Sequence, residues 1–180
     1  MTEKLILGMC LTALSGCVAE LEPVMLMPKT VDAVDRPLTE KSFVVESVTL
    51  DKDEVEAYIR AENFKIALEE TIKRSYIFGS DVNAPYIVRA HVSKASFPAA
   101  GISMSSTLGV RYTVINGVGA QIMNDDVQYE GAADMGDEFF GSARAILAFQ
   151  RTQQGHFSLF LDKLKQAIKA DGTNKIPPPR

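Results

Sequence analysis

Arg144 and Arg151 stand seven residues apart in a stretch that reads as helix. That spacing is about two helical turns, so both guanidiniums share one face. Two planar donor forks on one face suit an anionic group such as a lipid phosphate. They suit equally well a pairing with Asp137, Glu138 or a strand edge, which needs no ligand. The chain has two histidines. His91 falls on the wet face of an alternating strand and His156 beside Gly155 in a helix, and neither shares a ligand spacing with a carboxylate. Both read as surface residues, and no metal site is expected. Ser142 in "GSARA" lacks the Gly-x-Ser-x-Gly elbow and follows no strand, so it is a poor nucleophile candidate. Asn124-Asp125-Asp126 lacks the alternating ligands and closing Glu of a calcium loop. "NGVG" at 116–119 joins two strands instead of opening a helix, so it is a turn and no phosphate cradle. No catalytic constellation and no cofactor emerge, and an enzyme is not expected.

These residues must be positioned by a regular frame. "SFVVESVTL", 42–50, is rich in Val and Phe and reads as a first strand. Asp51 and Glu54 follow with capping-box spacing. Val55, Tyr58 and Ile59, then Phe64, Ala67, Leu68, Thr71 and Ile72, keep helical spacing, with a shift near Glu62 that starts the main helix at about Ala61. Gly79 is the expected end of that element. In 85–98, Tyr86, Val88, Ala90 and Val92 point one way and Ile87, Arg89, His91 and Ser93 the other, a strand with one buried and one wet face. Leu108, Val110, Tyr112 and Val114 alternate into Asn116-Gly117, a hairpin signal. The returning strand carries Ile122, Val127 and Tyr129, with a bulge or bend expected at 124–126. A last helix over 136–170 carries Phe140, Ala143, Leu147, Phe157, Leu161, Leu164 and Ile168 on one stripe, with Gly155 a possible kink. Asp137 and Glu138 sit at its positive end and Lys163, Lys165 and Lys169 near its negative end. The order β-α-β-β-β-α predicts an α+β two-layer sandwich, an antiparallel-rich sheet of about four strands with two helices on one face.

The amino terminus is of another kind. Lys4 precedes an apolar run from Leu5 to Leu14, and Ser15 and Gly16 follow. A short polar end, a short apolar centre and small residues are the layout of a secretory signal. The run is shorter than the roughly 20 apolar residues that span a bilayer. Leu14-Ser15-Gly16-Cys17 resembles the lipobox of bacterial lipoproteins. The resemblance implies cleavage before Cys17 and acylation of its thiol and new amino group, so that lipid on Cys17 anchors the chain to a membrane. Otherwise Cys17 would be a small hydrophobe in a buried helix. Val18 stands where an Asp would imply inner-membrane retention, which points to the outer membrane of a Gram-negative cell, facing the periplasm. Cys10 leaves with the signal and Cys17 is consumed by lipid, so the mature domain has neither free thiol nor disulfide.

The segments then read as a signal at 1–16, a lipidated terminus and tether at 17–41, the α+β domain at 42–172, and a mobile Pro-rich tail at 173–180. Pro23, Pro28 and Pro37 prevent a long helix in the tether, which could also rest on the domain through residues 24–27; its 24 residues would reach about 80 Å fully extended. Glu3 and Lys4 leave together with the signal, so the net charge stays at −4. A mildly acidic chain without a basic run argues against nucleic acid, and no second apolar stretch predicts a transmembrane helix.

Anchor and element order together resemble small Gram-negative outer-membrane lipoproteins with a sheet-and-two-helix domain. These include the lipopolysaccharide-assembly lipoprotein and the accessory lipoproteins of envelope transporters. The resemblance implies a non-enzymatic binding or assembly module with an envelope protein partner. The expected contact surface is the uncovered sheet face, with Ile87, Arg89, His91, Arg111, Thr113 and Ile115, or the loop 95–106 with Phe97, Ile102 and Met104. The alternative is a lipid- or glycan-binding groove between helices and sheet, lined by Tyr112, Phe140, Leu147 and Phe149, with Arg144 and Arg151 reading a head group.

Overall fold

A computed structural model describes residues 22–51, 55, 58–97 and 103–172. Cys17, Glu54, Ile102 and the tail 173–180 lie outside the described residues. The elements are α1 (Pro23–Leu26), β1 (Thr39–Leu50), α2 (Ala61–Arg74), β2 (Phe78–Ser96), β3 (Met104–Ile115), β4 (Gln121–Ala133) and α3 (Gly141–Ala170). The strands form one open mixed sheet in the order β1-β2-β3-β4. β1 and β2 are parallel, joined through α2, and the other two pairings are antiparallel. The α+β class, the four strands and the two long helices are as the sequence predicts.

The alternation in the strands fixes the two faces, because successive side chains in a strand point oppositely. Tyr86, Val88, Ala90 and Val92 of β2 and Leu108, Val110, Tyr112 and Val114 of β3 are buried beneath the helices. From α2 come Phe64, Ala67, Leu68, Thr71 and Ile72, a helical stripe at i, i+3, i+4, i+7 and i+8. From α3 come Phe149, Phe157, Phe160, Leu161, Leu164 and Ile168. Phe64 stacks on Phe157 at 5.9 Å between ring centres, and Tyr112 on Phe160 at 4.0 Å. Each such side chain contributes roughly 1.5–3 kcal/mol by leaving water.

Several boundaries differ from the sequence reading, for identifiable reasons. α2 ends at Arg74, with Ser75 as its cap and Tyr76 in the left-handed region at φ 54°. Gly79 therefore ends nothing. It lies inside β2, where an added Cβ would stand 2.4 Å from the Glu40 carbonyl oxygen, so β2 begins before residue 85. The expected break at 124–126 is absent: Asn124, Asp125 and Asp126 pair in unbroken register with Thr113, Tyr112 and Arg111. The irregularity falls one step earlier, between Val114 and Ile115. Asp125 interrupts the apolar pattern because it faces the helix layer, where Lys163 of α3 meets it at 3.1 Å. α3 starts at Gly141 and continues through Gly155. Gly155 makes room for the Tyr129 ring, whose Cζ would be 2.1 Å from an added Cβ.

Residues 22–38 lie on the domain and do not stand off from it. Leu26 of α1 is part of the core. Arg74 donates to the Pro28 and Lys29 carbonyls at 3.0 Å each. The Gln154 amide grips both backbone groups of Thr30, at 2.8 and 3.1 Å. The Val34 and Leu38 amides donate to the Ser75 and Ile77 carbonyls at 3.0 and 2.8 Å. A spacer long enough to hold the domain tens of ångströms off is thus not what these residues make.

Candidate functional site

The uncovered sheet face gathers the residues singled out from the sequence, but in a different electrostatic state. Arg89 of β2 is paired with Glu46 of β1. Arg111 of β3 makes a bidentate contact with Asp126 of β4, at 2.9 and 3.0 Å. His91 stands between them. Its Nδ1 is hydrogen-bonded to Thr49 Oγ1 at 2.9 Å, and its Nε2 lies 3.1 Å from Asp51. Thr113 donates to Asn124 at 3.3 Å. The Arg111 guanidinium holds Asp126 below the ordinary carboxylate value, and His91 adds a smaller push the same way. The face is therefore a cross-strand ladder of matched charges, not the basic surface that the arginines alone suggest. Ile87 and Ile115 are register partners on it and are only partly exposed.

The loop candidate divides. Phe97 packs on Phe149 at 5.4 Å. Met104 is buried at the start of β3, against Ala133, Ala145 and Ala148. It is thus not the exposed apolar contact expected of it, because it shares the inward-facing alternation of Leu108, Val110 and Tyr112 along β3.

Arg144 and Arg151 are both engaged internally. Arg144 is buried and donates to the carbonyls of Glu138 and Phe139, at 2.9 and 3.0 Å. Arg151 donates to the Ala132 carbonyl at 2.8 Å and grips Asp137 with both ends of its fork, at 2.8 and 2.7 Å. Arg151, with help from the Asp134 amide, holds Asp137 well below the usual carboxylate range. Between them the two arginines shape the turn 134–140. The Asp134 carbonyl also accepts from the Asp137 and Glu138 amides at 3.0 and 3.2 Å.

This turn carries what the sequence reading missed. Phe140 is not in the core stripe: it is the N-cap of α3 and 69 % exposed, beside Phe139 at 73 %. Their rings meet edge-on at 5.7 Å. Met135 and Ile146 are exposed too. Adjacent aromatic residues just ahead of a helix were the available signal, but helical periodicity absorbed one of them into the stripe.

Among the described residues the expected lining of a groove is not brought together. Of the four residues named for one, Tyr112 and Phe149 are packed in the core and Phe140 is outside. A shallow depression of about 370 Å³ does run between α3 and β4, and the Lys163–Asp125 ion pair forms part of its lining. His156, expected on the surface, is fully buried and shares a 2.9 Å hydrogen bond with the Tyr112 hydroxyl. Burial lowers its pKa to about 3, while the Leu108 backbone acts weakly in the opposite sense. Among the described residues no cluster of three or more His, Cys, Asp or Glu is placed to hold a metal ion. No described helix is long and apolar enough to cross a membrane.

No protein-family profile and no curated protein matches the chain. Solved structures do match its fold. A Xanthomonas campestris protein assigned to the DUF330 family superposes with a TM-score of 0.62 at 7 % identity, covering 86 % of this chain and 99 % of that one. A hypothetical protein of Chlamydia trachomatis gives 0.51 at 11 % identity, over 73 % and 99 %. A provisionally described lipoprotein of Caulobacter crescentus gives 0.41 at 14 % identity, over 73 % and 89 %. At such identities the first two likenesses establish a shared fold and nothing finer.

Proposed function

We propose that this protein is a non-enzymatic lipoprotein of a Gram-negative envelope, anchored by lipid on Cys17 to the periplasmic side of the outer membrane, and that its domain docks onto an envelope protein. The observation that carries the docking reading is the turn 134–140. Arg144 holds its backbone and Arg151 its Asp137 carboxylate, and it presents Phe139 and Phe140 to solvent. Aromatic anchors held in place before contact lose little conformational freedom on binding, and interface energy concentrates in such residues. The sheet face, with its charges already matched, is better suited to align a partner than to supply affinity. The lipid- or glycan-groove alternative is less favoured, since Tyr112 and Phe149 are packed in the core and Phe140 is exposed.

A photo-reactive residue at Phe140, in the acylated protein in living cells, is expected to crosslink to one envelope protein. An F139S/F140S variant, acylated and folded like the parent, should fail to co-purify with that protein. Crosslinks only to lipid, or undiminished co-purification of the variant, would remove the docking role from this turn. Crosslinks concentrated instead at Thr113 would return the role to the sheet face.

A further inference from the structure

The strap formed by residues 22–38 sets where the chain leaves the domain. α1 packs on α2 and α3, on the side of the sheet opposite the uncovered face. Gln154 and Arg74 pin the residues immediately after it. Anything joined to Glu22 is therefore joined to the helix layer. On the reading that Cys17 is acylated, on which this inference rests, only residues 18–21 separate the anchor from Glu22. Fully extended, that connection reaches at most about 18 Å. An acyl anchor holds its cysteine near the base of the headgroup layer, and that layer is itself about 5–7 Å thick. The helix layer is thus confined to within a few residues' reach of the bilayer.

The side chains next to that exit suit such a neighbour. Val24 and Met25 on α1 are 68 % and 40 % exposed. Leu26, the next residue, is fixed in the core, so α1 keeps its orientation. We propose that α1 is a membrane-contact surface, with Val24 and Met25 seated among the lipid headgroups. The acylated domain then lies on the bilayer by its helix layer and turns its uncovered sheet face away from it. The anchor supplies affinity and the strap supplies orientation, a division of labour a long spacer would not allow.

The test uses the full chain, processed in a Gram-negative host and reconstituted in vesicles of phosphatidylethanolamine and phosphatidylglycerol. With Cys17 acylated, a cysteine introduced by Met25→Cys or Thr113→Cys is the only free thiol, and each is labelled with a small fluorophore. Brominated lipid is expected to quench the label at position 25 at least about threefold more than the label at 113. Val24→Asp should reduce quenching at 25 without changing the thermal unfolding midpoint. Mass spectrometry of the N-terminal peptide separates the two possible failures. Acyl chains on Cys17 with equal quenching at both positions would overturn the membrane-contact proposal alone. An unmodified Cys17 would overturn the anchor reading and this inference with it.

Discussion

The two faces of the sheet are made by the same strands and hold their polar groups in opposite ways. Beneath the helices these groups are few and individually placed. Tyr112 meets His156, and the Thr152 hydroxyl sits among the Gly131 amide and the Ser106 and Ala148 carbonyls, at 3.0, 2.9 and 2.9 Å. On the uncovered face they are numerous and paired in the open, Arg89 with Glu46 and Arg111 with Asp126. Water can replace any partner on the open face, whereas under α3 a lost partner leaves a polar group unpaired in a dry interior. The covered face should therefore be intolerant and the open face forgiving. Exposed aromatic surface is gathered on neither, but at the turn beyond β4.

The sharpest way to break this contrast is Gly131→Ala. An added Cβ there would lie 2.4 Å from the Thr152 backbone nitrogen, so β4 would have to move off α3. A loss of about 3 kcal/mol is expected in urea denaturation. Gly136→Ala, with open space around it, should change stability by less than about 0.5 kcal/mol. Equal stability of the two variants would contradict the close backbone approach.

Acid should expose the next difference. The fold keeps His156 neutral down to about pH 3, whereas the unfolded chain protonates it below its ordinary value of 6.5. Protons thus favour the unfolded chain, and stability should fall as the pH drops below 6.5 and go on falling to about 3. At pH 5 the loss from this residue is roughly 2 kcal/mol. His156→Gln, which can still hydrogen-bond to Tyr112, should flatten the dependence between pH 6 and 4. An unchanged slope in that variant would assign the effect to other groups.

A similar cost is expected for Arg144→Met, which frees the Glu138 and Phe139 carbonyls: about 2 kcal/mol. It should also speed amide exchange across 134–140, and slow exchange there would mean that the turn holds itself. Smallest of all should be the open-face pair. A double-mutant cycle on Arg111→Ala and Asp126→Ala is expected to give the weakest effect of these, decreasing with added salt. A larger, salt-insensitive coupling would mean that the face is less open to water than its exposure implies.

Much of the frame was legible in the residues. Alternation in β2 and β3, the Phe64–Ile72 stripe and the Asn116-Gly117 turn each report a local period, and burial followed it. The Asn116 side chain even organises its own turn, accepting from the Val118 and Ala120 amides at 3.2 and 2.9 Å. Errors gathered where a residue's meaning depends on what lies across from it. Gly79 resembles a helix stop until β1 is placed beside it, and His156 resembles a surface residue until Tyr112 is. Arg144 and Arg151 share a helix face, as their spacing requires, but the turn folded back onto that face takes up their donors.

The sequence by itself determined the order of elements and the side of each strand that faces inward, and it carries the resemblance at Leu14–Cys17 on which the envelope proposal rests. The tertiary structure alone decided the matching of charges across the sheet, the outward setting of Phe139 and Phe140, and the strapping of residues 22–38 onto the helices. The physical reason is range. Periodicity is written in neighbours a few positions apart, whereas the strap depends on meetings such as Thr30 with Gln154, 124 positions apart, which exist only once register and layer packing are fixed.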